Sequence, residues 1–323
     1  MKYAAIEGPG KVVVKDGPVP EVGDSDILVK VSACGVCSAT DLHYMKGELE
    51  TNFPLTGSNS YFGHELSGVV SRVGRRVTEF KEGDRVAFLK GGYQQYALAD
   101  PGLTVKIPDG LNIRQSLAEP LAVSLHTLNC VAAKKNETII ILGAGFMGLL
   151  LIQGLKHTGV ENIVAVDLLN ERLTQAKRCG AHRTVNPNQE DLSAVIDELT
   201  GQKGADIVVE AAGAKATLEL APKIVRAEGK IVVHGFYPKP MLIDMVPWHV
   251  KGLTIVNAHP ATRDKYKILM AEGLEQLAAR TFNMDPLITH EIPLARMDEV
   301  YRLLQKPADF IKVVVLPNED RSE

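Results

Sequence analysis

Cysteine, histidine and carboxylate side chains gather in the first 120 residues in a pattern that suits a metal ion. Cys34 and Cys37 are followed by Asp41 and His43, then by the adjacent pair His64-Glu65, and later by Glu119. Thiolate, imidazole and carboxylate together are the ligand set of a zinc ion that keeps one position open for water or substrate. No single member carries that reading, because an isolated His is usually a structural residue and an isolated Glu a solvated one. Cys34-Gly-Val-Cys37 also has the spacing of a redox pair, but it follows a strand in a β-rich region rather than a thioredoxin-like context. A zinc ion acts as a Lewis acid on a substrate oxygen and can lower the pKa of bound water from about 15.7 to about 7. The chemistry implied is loss of a hydroxyl proton near neutral pH.

A second constellation runs from Thr138 to Asp167 in the order strand, glycine turn, helix, strand, acid. Thr138-Ile-Ile-Ile-Leu142 is a short apolar run of the kind that forms a strand buried on both faces. In Gly143-Ala-Gly-Phe-Met-Gly148 the first glycine permits a tight turn, the second lets a pyrophosphate approach the backbone, and the third lets helix and strand pack closely. Free N–H groups at the start of the helix attract phosphate. Leu149, Leu150, Leu151, Ile152 and Leu155 make that helix too apolar for the surface, with Gly159 as an expected cap. Ile163-Val-Ala-Val-Asp167 ends in a carboxylate placed to accept hydrogen bonds from a ribose. Such a carboxylate repels a 2'-phosphate, and no arginine follows it until Arg172, so the cofactor expected is NAD rather than NADP.

These residues need two domains to position them, and 323 residues suit two cores better than one. From Met1 to about Pro108, runs such as Ile27-Leu-Val-Lys-Val-Ser-Ala33 and Gly68-Val-Val-Ser-Arg-Val73 are divided by Gly, Pro and Asp, the texture of a β domain. A helix is expected from Glu119 to Asn129. Strands and helices then alternate to about Val256: helix at 171–179, strand at 205–209, helix at 218–225, strand at 230–233. This is a doubly wound parallel sheet. Helices at 264–271 and 298–305 and strands at 288–292 and 311–315 return to the first domain. The expected active site is the cleft between the two, where Trp248 and His259 either line the site or merely pack.

A net charge of −3 without a basic block argues against nucleic acid or an anionic membrane as partner. No apolar run approaches the roughly 20 residues that span a bilayer. The chain opens directly on strand-like Met1-Lys-Tyr-Ala-Ala-Ile6, so a cytoplasmic location is expected. Four scattered cysteines, Cys34, Cys37, Cys130 and Cys179, are too few for a disulfide framework. Cys130 and Cys179 read as buried small hydrophobes, and so does Cys34.

At this point the chain resembles the zinc-containing medium-chain alcohol and polyol dehydrogenases. Gly63-His-Glu-Leu-Ser-Gly-Val-Val-Ser-Arg-Val-Gly74 looks like their zinc signature, and Cys37 with Thr40-Asp-Leu-His43 is similar to their Cys-x-Thr-Asp-x-His segment. Glu119-Pro-Leu-Ala122 is similar to the sorbitol and threonine dehydrogenase branch, which has Glu where simple alcohol dehydrogenases carry Cys. Asp285-Pro-Leu-Ile-Thr-His290 and Ile311-Lys312 extend the resemblance almost to the end. It implies a GroES-like catalytic domain at 1–120 and 259–323 around a Rossmann NAD-binding domain at 121–258. Two departures stand out. Ser38 and Ala39 both lie between Cys37 and Thr40, one residue more than the family has. After Gly83-Asp-Arg-Val86 the chain goes directly to Gly91-Gly-Tyr-Gln-Gln-Tyr-Ala97, without the four-cysteine lobe of a structural zinc.

By resemblance, Cys37 and His64 are metal ligands, and Glu65 or Glu119 completes the shell directly or through water. By the same resemblance Thr40, a ribose hydroxyl of the cofactor and then His43 carry the released proton outward, a role for which histidine as a residue type is suited by an unperturbed pKa of about 6.5. Asp41 is expected to orient His64, and Lys312 to meet the cofactor's pyrophosphate. The extra residue keeps Cys34 open as a substitute ligand. A homodimer or homotetramer is implied. The polar stretch Lys46 to Phe62, with Glu48, Thr51, Asn52, Ser58, Asn59 and Ser60, favours a polyol or sugar over a simple alcohol. The alternatives are a zinc-free quinone or enone reductase of the same fold and a nonenzymatic NAD-binding protein. Elemental analysis of protein purified without added zinc or chelator is expected to find about one zinc per chain. A folded, cofactor-binding but metal-free protein would favour the reductase.

Overall fold

The computed structural model describes residues 1–49 and 52–319. Thr51, one of the polar residues noted above, lies outside the described residues, with Glu50 and 320–323. The chain begins with strands β1 (Lys2–Gly8), β2 (Lys11–Asp16) and β3 (Ile27–Gly35), then helix α1 (Thr40–Met45). Strands β4 (Glu65–Val73), β5 (Arg85–Leu89), β6 (Tyr96–Ala99) and β7 (Thr104–Lys106) follow, then helix α2 (Ala118–Val131). Next come β8 (Thr138–Leu142), α3 (Phe146–Leu155), β9 (Asn162–Val166), α4 (Asn170–Cys179), β10 (Arg183–Val185) and α5 (Leu192–Thr200). After β11 (Ala205–Glu210), α6 (Lys215–Ile224), β12 (Val225–Val233), α7 (Val246–Val250) and β13 (Thr254–Asn257), the chain ends with α8 (Arg263–Ala278), β14 (Ile288–Pro293), α9 (Met297–Leu304) and β15 (Lys312–Leu316).

Two compact units emerge. The first comprises residues 1–122, 261–280 and the chain from 284 onward; the second comprises 123–260 and 281–283. In the first, β14-β15-β3-β4-β5-β7 form one sheet, with β6 also on β3, and β1 pairs with β2. Every pairing is antiparallel except that of β14 with β15. Strand β3 pairs with three neighbours, and its apolar residues are buried on both faces. Val29, Val31 and Cys34 of β3 join Met45, Phe62, Leu66, Phe88 and Tyr93 in one core, which leaves Cys34 a core residue.

The second unit is a six-stranded parallel sheet in the order β10-β9-β8-β11-β12-β13. After β10 the chain returns to lay β11 beside β8, so the order reverses between these two strands. Their carboxyl ends form the switch point at which ligands of open α/β sheets bind. All of β8 is buried, and in α3 only Met147 escapes burial, as the leucine-rich sequence predicts. The helix stops at Leu155, however, and Gly159 sits at φ +76° in the turn before β9 rather than capping it. Helix α8 runs on past Ala271 because Gly273, Leu274 and Leu277 continue the buried face of Leu269 and Met270. Trp248 packs in the core of this unit, whereas His259 is exposed.

No helix among the described residues is long and apolar enough to cross a membrane. The tightest approach in the glycine turn is at Gly148, where a Cβ would stand 2.0 Å from the carbonyl oxygen of Gly143. Gly148→Ala is expected to cost about 1–3 kcal/mol by forcing that backbone apart, read as a lower urea midpoint. An unchanged midpoint would show that the start of α3 can shift freely.

Candidate functional site

The end of β3 and the start of β4 bring the metal-ligand types together. Cys37 Sγ, a ring nitrogen of His64 and a carboxylate oxygen of Glu65 lie within 4.8 Å of one another. The residue in excess between Cys37 and Thr40 is absorbed in an exposed turn at Ser38 and Ala39. Thr40, at the start of α1, therefore still reaches back, and its Oγ1 lies 3.5 Å from Cys37 Sγ. Cys34 stays in the core, where burial pushes its thiol well above the usual range, away from the thiolate a metal needs.

Asp41 is fully buried and does not orient His64 as expected. Its Oδ2 accepts the N–H of Cys37 at 2.9 Å and the hydroxyl of Tyr93, and its Oδ1 accepts the N–H of Gly63 at 3.1 Å. The His64 ring is held instead by the carbonyl of Tyr61, 2.7 Å from Nδ1. A carbonyl only accepts, so Nδ1 carries a proton and Nε2 is the nitrogen that a metal would take in place of a proton. Burial by itself disfavours the His64 imidazolium. Contact with Cys37 and the charges of Glu119 and Asp41 outweigh it and raise the pKa well above the usual value.

Lys312 also lies elsewhere than expected. It is buried, its Nζ donates to the carbonyl of Val36 and to Glu65 Oε1 at 2.8 Å, and its charge therefore acts on the ligand cluster. Nζ is 2.5 Å from Glu65 Oε2 as well, so both carboxylate oxygens lie against the same ammonium. Glu119, in the first turn of α2, feels the same cluster. Burial raises its pKa first of all; His64 and Lys312 pull it down, Glu65 and Asp41 push it up. Cys37, Glu65, Glu119 and Asp41 are four groups able to carry negative charge around one lysine and one histidine, a balance that suits a divalent cation.

At the far end of α1, His43 Nδ1 pairs with Glu48 Oε2. The polar stretch behind it mostly folds on itself. Thr56 Oγ1 lies 2.7 Å from Ser58 Oγ, Asn59 Oδ1 accepts the N–H of Thr56, and Ser60 Oγ donates to the carbonyl of Thr56. These groups form a turn of their own. Sequence reasoning missed Tyr61, Tyr93 and Glu48 as partners of the site. Only proximity in the fold reveals them.

In the second unit Gly143 has φ +100°, and a Cβ there would meet the backbone of Ala212 at 2.8 Å. At Gly145 the nearest atom to a Cβ is Arg172 Nη1 at 3.7 Å, leaving the backbone open to a ligand under a guanidinium. Asp167 Oδ2 accepts the N–H of Ala144 at 2.8 Å and Oδ1 that of Leu169 at 2.9 Å, while Arg172 Nη1 stands 3.8 Å away. Across the switch point the buried Glu210 accepts the N–H groups of Ala212 and Gly213 and the hydroxyls of Thr217 and Tyr237.

A GroES-like β unit carrying a Cys-His-Glu cluster, and a doubly wound sheet with a dinucleotide turn, define an oxidoreductase. Residues 23–109 match the alcohol dehydrogenase GroES-like domain and residues 147–275 the zinc-binding dehydrogenase family. The alcohol dehydrogenase of Geobacillus stearothermophilus is 32% identical over 89% of this chain and 93% of that protein. The sorbitol dehydrogenase of Bacillus subtilis (strain 168) is 28% identical over 98% of each. A zinc-binding dehydrogenase of Sinorhizobium meliloti 1021, solved bound to NADP, superposes with a TM-score of 0.85 at 26% identity, covering 98% of this chain and 99% of that one. The chain belongs to the zinc-dependent medium-chain alcohol and polyol dehydrogenase family. The zinc-free reductase is not favoured.

Cys37→Ser is expected to abolish tight zinc binding, and Cys34→Ser to leave it near the parent level, both read by elemental analysis. The reverse result would mean that Cys34 leaves the core to take the metal.

Proposed function

We propose that this protein oxidises a secondary alcohol to a ketone with zinc and NAD, and that its substrate is a polyol, sugar or related hydroxy compound. The observation that carries the proposal is the cluster of Cys37 Sγ, His64 and Glu65, with Glu119 beside it in place of a further cysteine. The resemblance of Glu119 to the sorbitol and threonine dehydrogenase branch, and the likeness to sorbitol dehydrogenase, favour the polyol.

Cys37, His64 and Glu65 or Glu119 would hold the zinc. When bound, zinc supplies Lewis-acid polarisation of the substrate oxygen. The protein's own residues do the rest. Thr40, next to Cys37, would accept the substrate's hydroxyl proton while giving up its own toward His43, which Glu48 holds in place, and a ribose hydroxyl of a bound cofactor would bridge the two. The N–H groups that open α3 would receive the cofactor's pyrophosphate, and Arg172 Nη1 stands 3.7 Å from where a Cβ of Gly145 would be. Asp167 keeps lone pairs for the ribose hydroxyls even while it holds the N–H groups of Ala144 and Leu169. A homodimer or homotetramer in the cytoplasm completes this reading.

The test is NAD reduction with a panel of polyols by zinc-loaded protein, monitored at the absorbance of NADH. Asp167→Ala is expected to shift the NAD-to-NADP preference toward NADP about tenfold or more, some 1.4 kcal/mol. An unchanged ratio would refute the ribose assignment, and a panel without turnover would refute the polyol.

A further inference from the structure

Lys90 follows β5 directly, at the place where the chain omits the four-cysteine lobe. It has φ +68°, a backbone conformation that a long side chain rarely adopts. Its N–H donates to the carbonyl of His64 at 3.2 Å, which ties its backbone to a proposed metal ligand. Its ammonium stands 5.3 Å from the centre of the Tyr61 ring. That ring meets the His64 imidazole edge to face at 6.2 Å, while the Tyr61 carbonyl holds His64 Nδ1. Together the two spacings keep the ammonium within about 11.5 Å of the imidazole. Tyr61 is 51% exposed, so this edge of the cluster is open.

Lys90 is half-buried and makes no ion pair among the described residues. Lys15, Lys106, Lys267 and Lys312 each pair with a carboxylate. A half-buried ammonium resting on an aromatic face is already partly desolvated. It is therefore ready for an anion at little further cost.

We propose that Lys90 binds an anionic terminus of the substrate, making the preferred substrate a hydroxy compound that ends in a carboxylate or a phosphate. This rests on the dehydrogenase reading of the same site and narrows its substrate class. Carboxylate and phosphate share the chemistry that a lysine recognises as a point charge.

The experiment compares kcat/KM of the full-length, zinc-loaded enzyme for three substrates of equal chain length: a neutral polyol, the matching aldonate and the matching polyol phosphate. One anionic member is expected to be preferred by about tenfold or more, and which one identifies the terminus. Lys90→Gln is expected to lower that preference about tenfold, mainly through KM, with Lys90→Arg restoring most of it. A merely structural Lys90 would lower all three values in step, and that result overturns the proposal. Turnover of the neutral polyol without preference for either anion also overturns it, while leaving the dehydrogenase reading intact. No turnover of any of the three with NAD or NADP would sink the dehydrogenase reading, and this inference with it.

Discussion

A single buried carboxylate, that of Asp41, ties together the backbone that carries Cys37 and His64. Cys37 lies in the loop after β3 and His64 at the entry to β4, segments that no ladder bond joins at those points. Asp41 accepts the N–H of Cys37 itself and of Gly63, the residue before His64, with the hydroxyl of Tyr93 as a third donor. Hydrogen bonds to a charged group contribute about 1.5–3 kcal/mol each. Burial raises the pKa of Asp41; His64 and these three donors oppose it. The spacing of thiol and imidazole thus depends on a residue that holds the backbone of both segments.

Around this clamp the charges are arranged in layers. Lys312 meets Glu65 in a buried pair, Glu119 sits beyond in a setting that resists ionisation, and His64 is drawn toward its cationic form by Cys37 and the acids. Removing one partner of a buried ion pair leaves an uncompensated charge, so Lys312 and Glu65 depend on each other. A divalent ion would relieve the excess of acid.

The second unit uses the same device at its own strand ends. Asp167 holds the glycine turn through the N–H of Ala144, and Glu210 holds the loop after β11 through Ala212 and Gly213. Backbone carrying free N–H groups needs fixed acceptors if it is to stay open to a ligand rather than collapse on itself. The two carboxylates supply them on either side of the switch point.

The sequence by itself determined the doubly wound sheet, the glycine turn with Asp167 at the end of the next strand, and the ligand types at Cys37, His64, Glu65 and Glu119. Each is written in local periodicity or in a short motif whose residues lie on one element or its turn. Only the tertiary structure decided what those residues touch. Tyr61 rather than Asp41 orients His64, Lys312 joins Glu65, Glu48 joins His43, and the polar turn at Thr56 to Ser60 bonds to itself. It also set Cys34 apart from Cys37, because the turn at Ser38 and Ala39 absorbs the additional residue while β3 keeps Cys34 in the core. The physical reason is the same throughout. Backbone periodicity is a local property of the chain, whereas hydrogen-bond and charge partners are set by which segments the packing brings together.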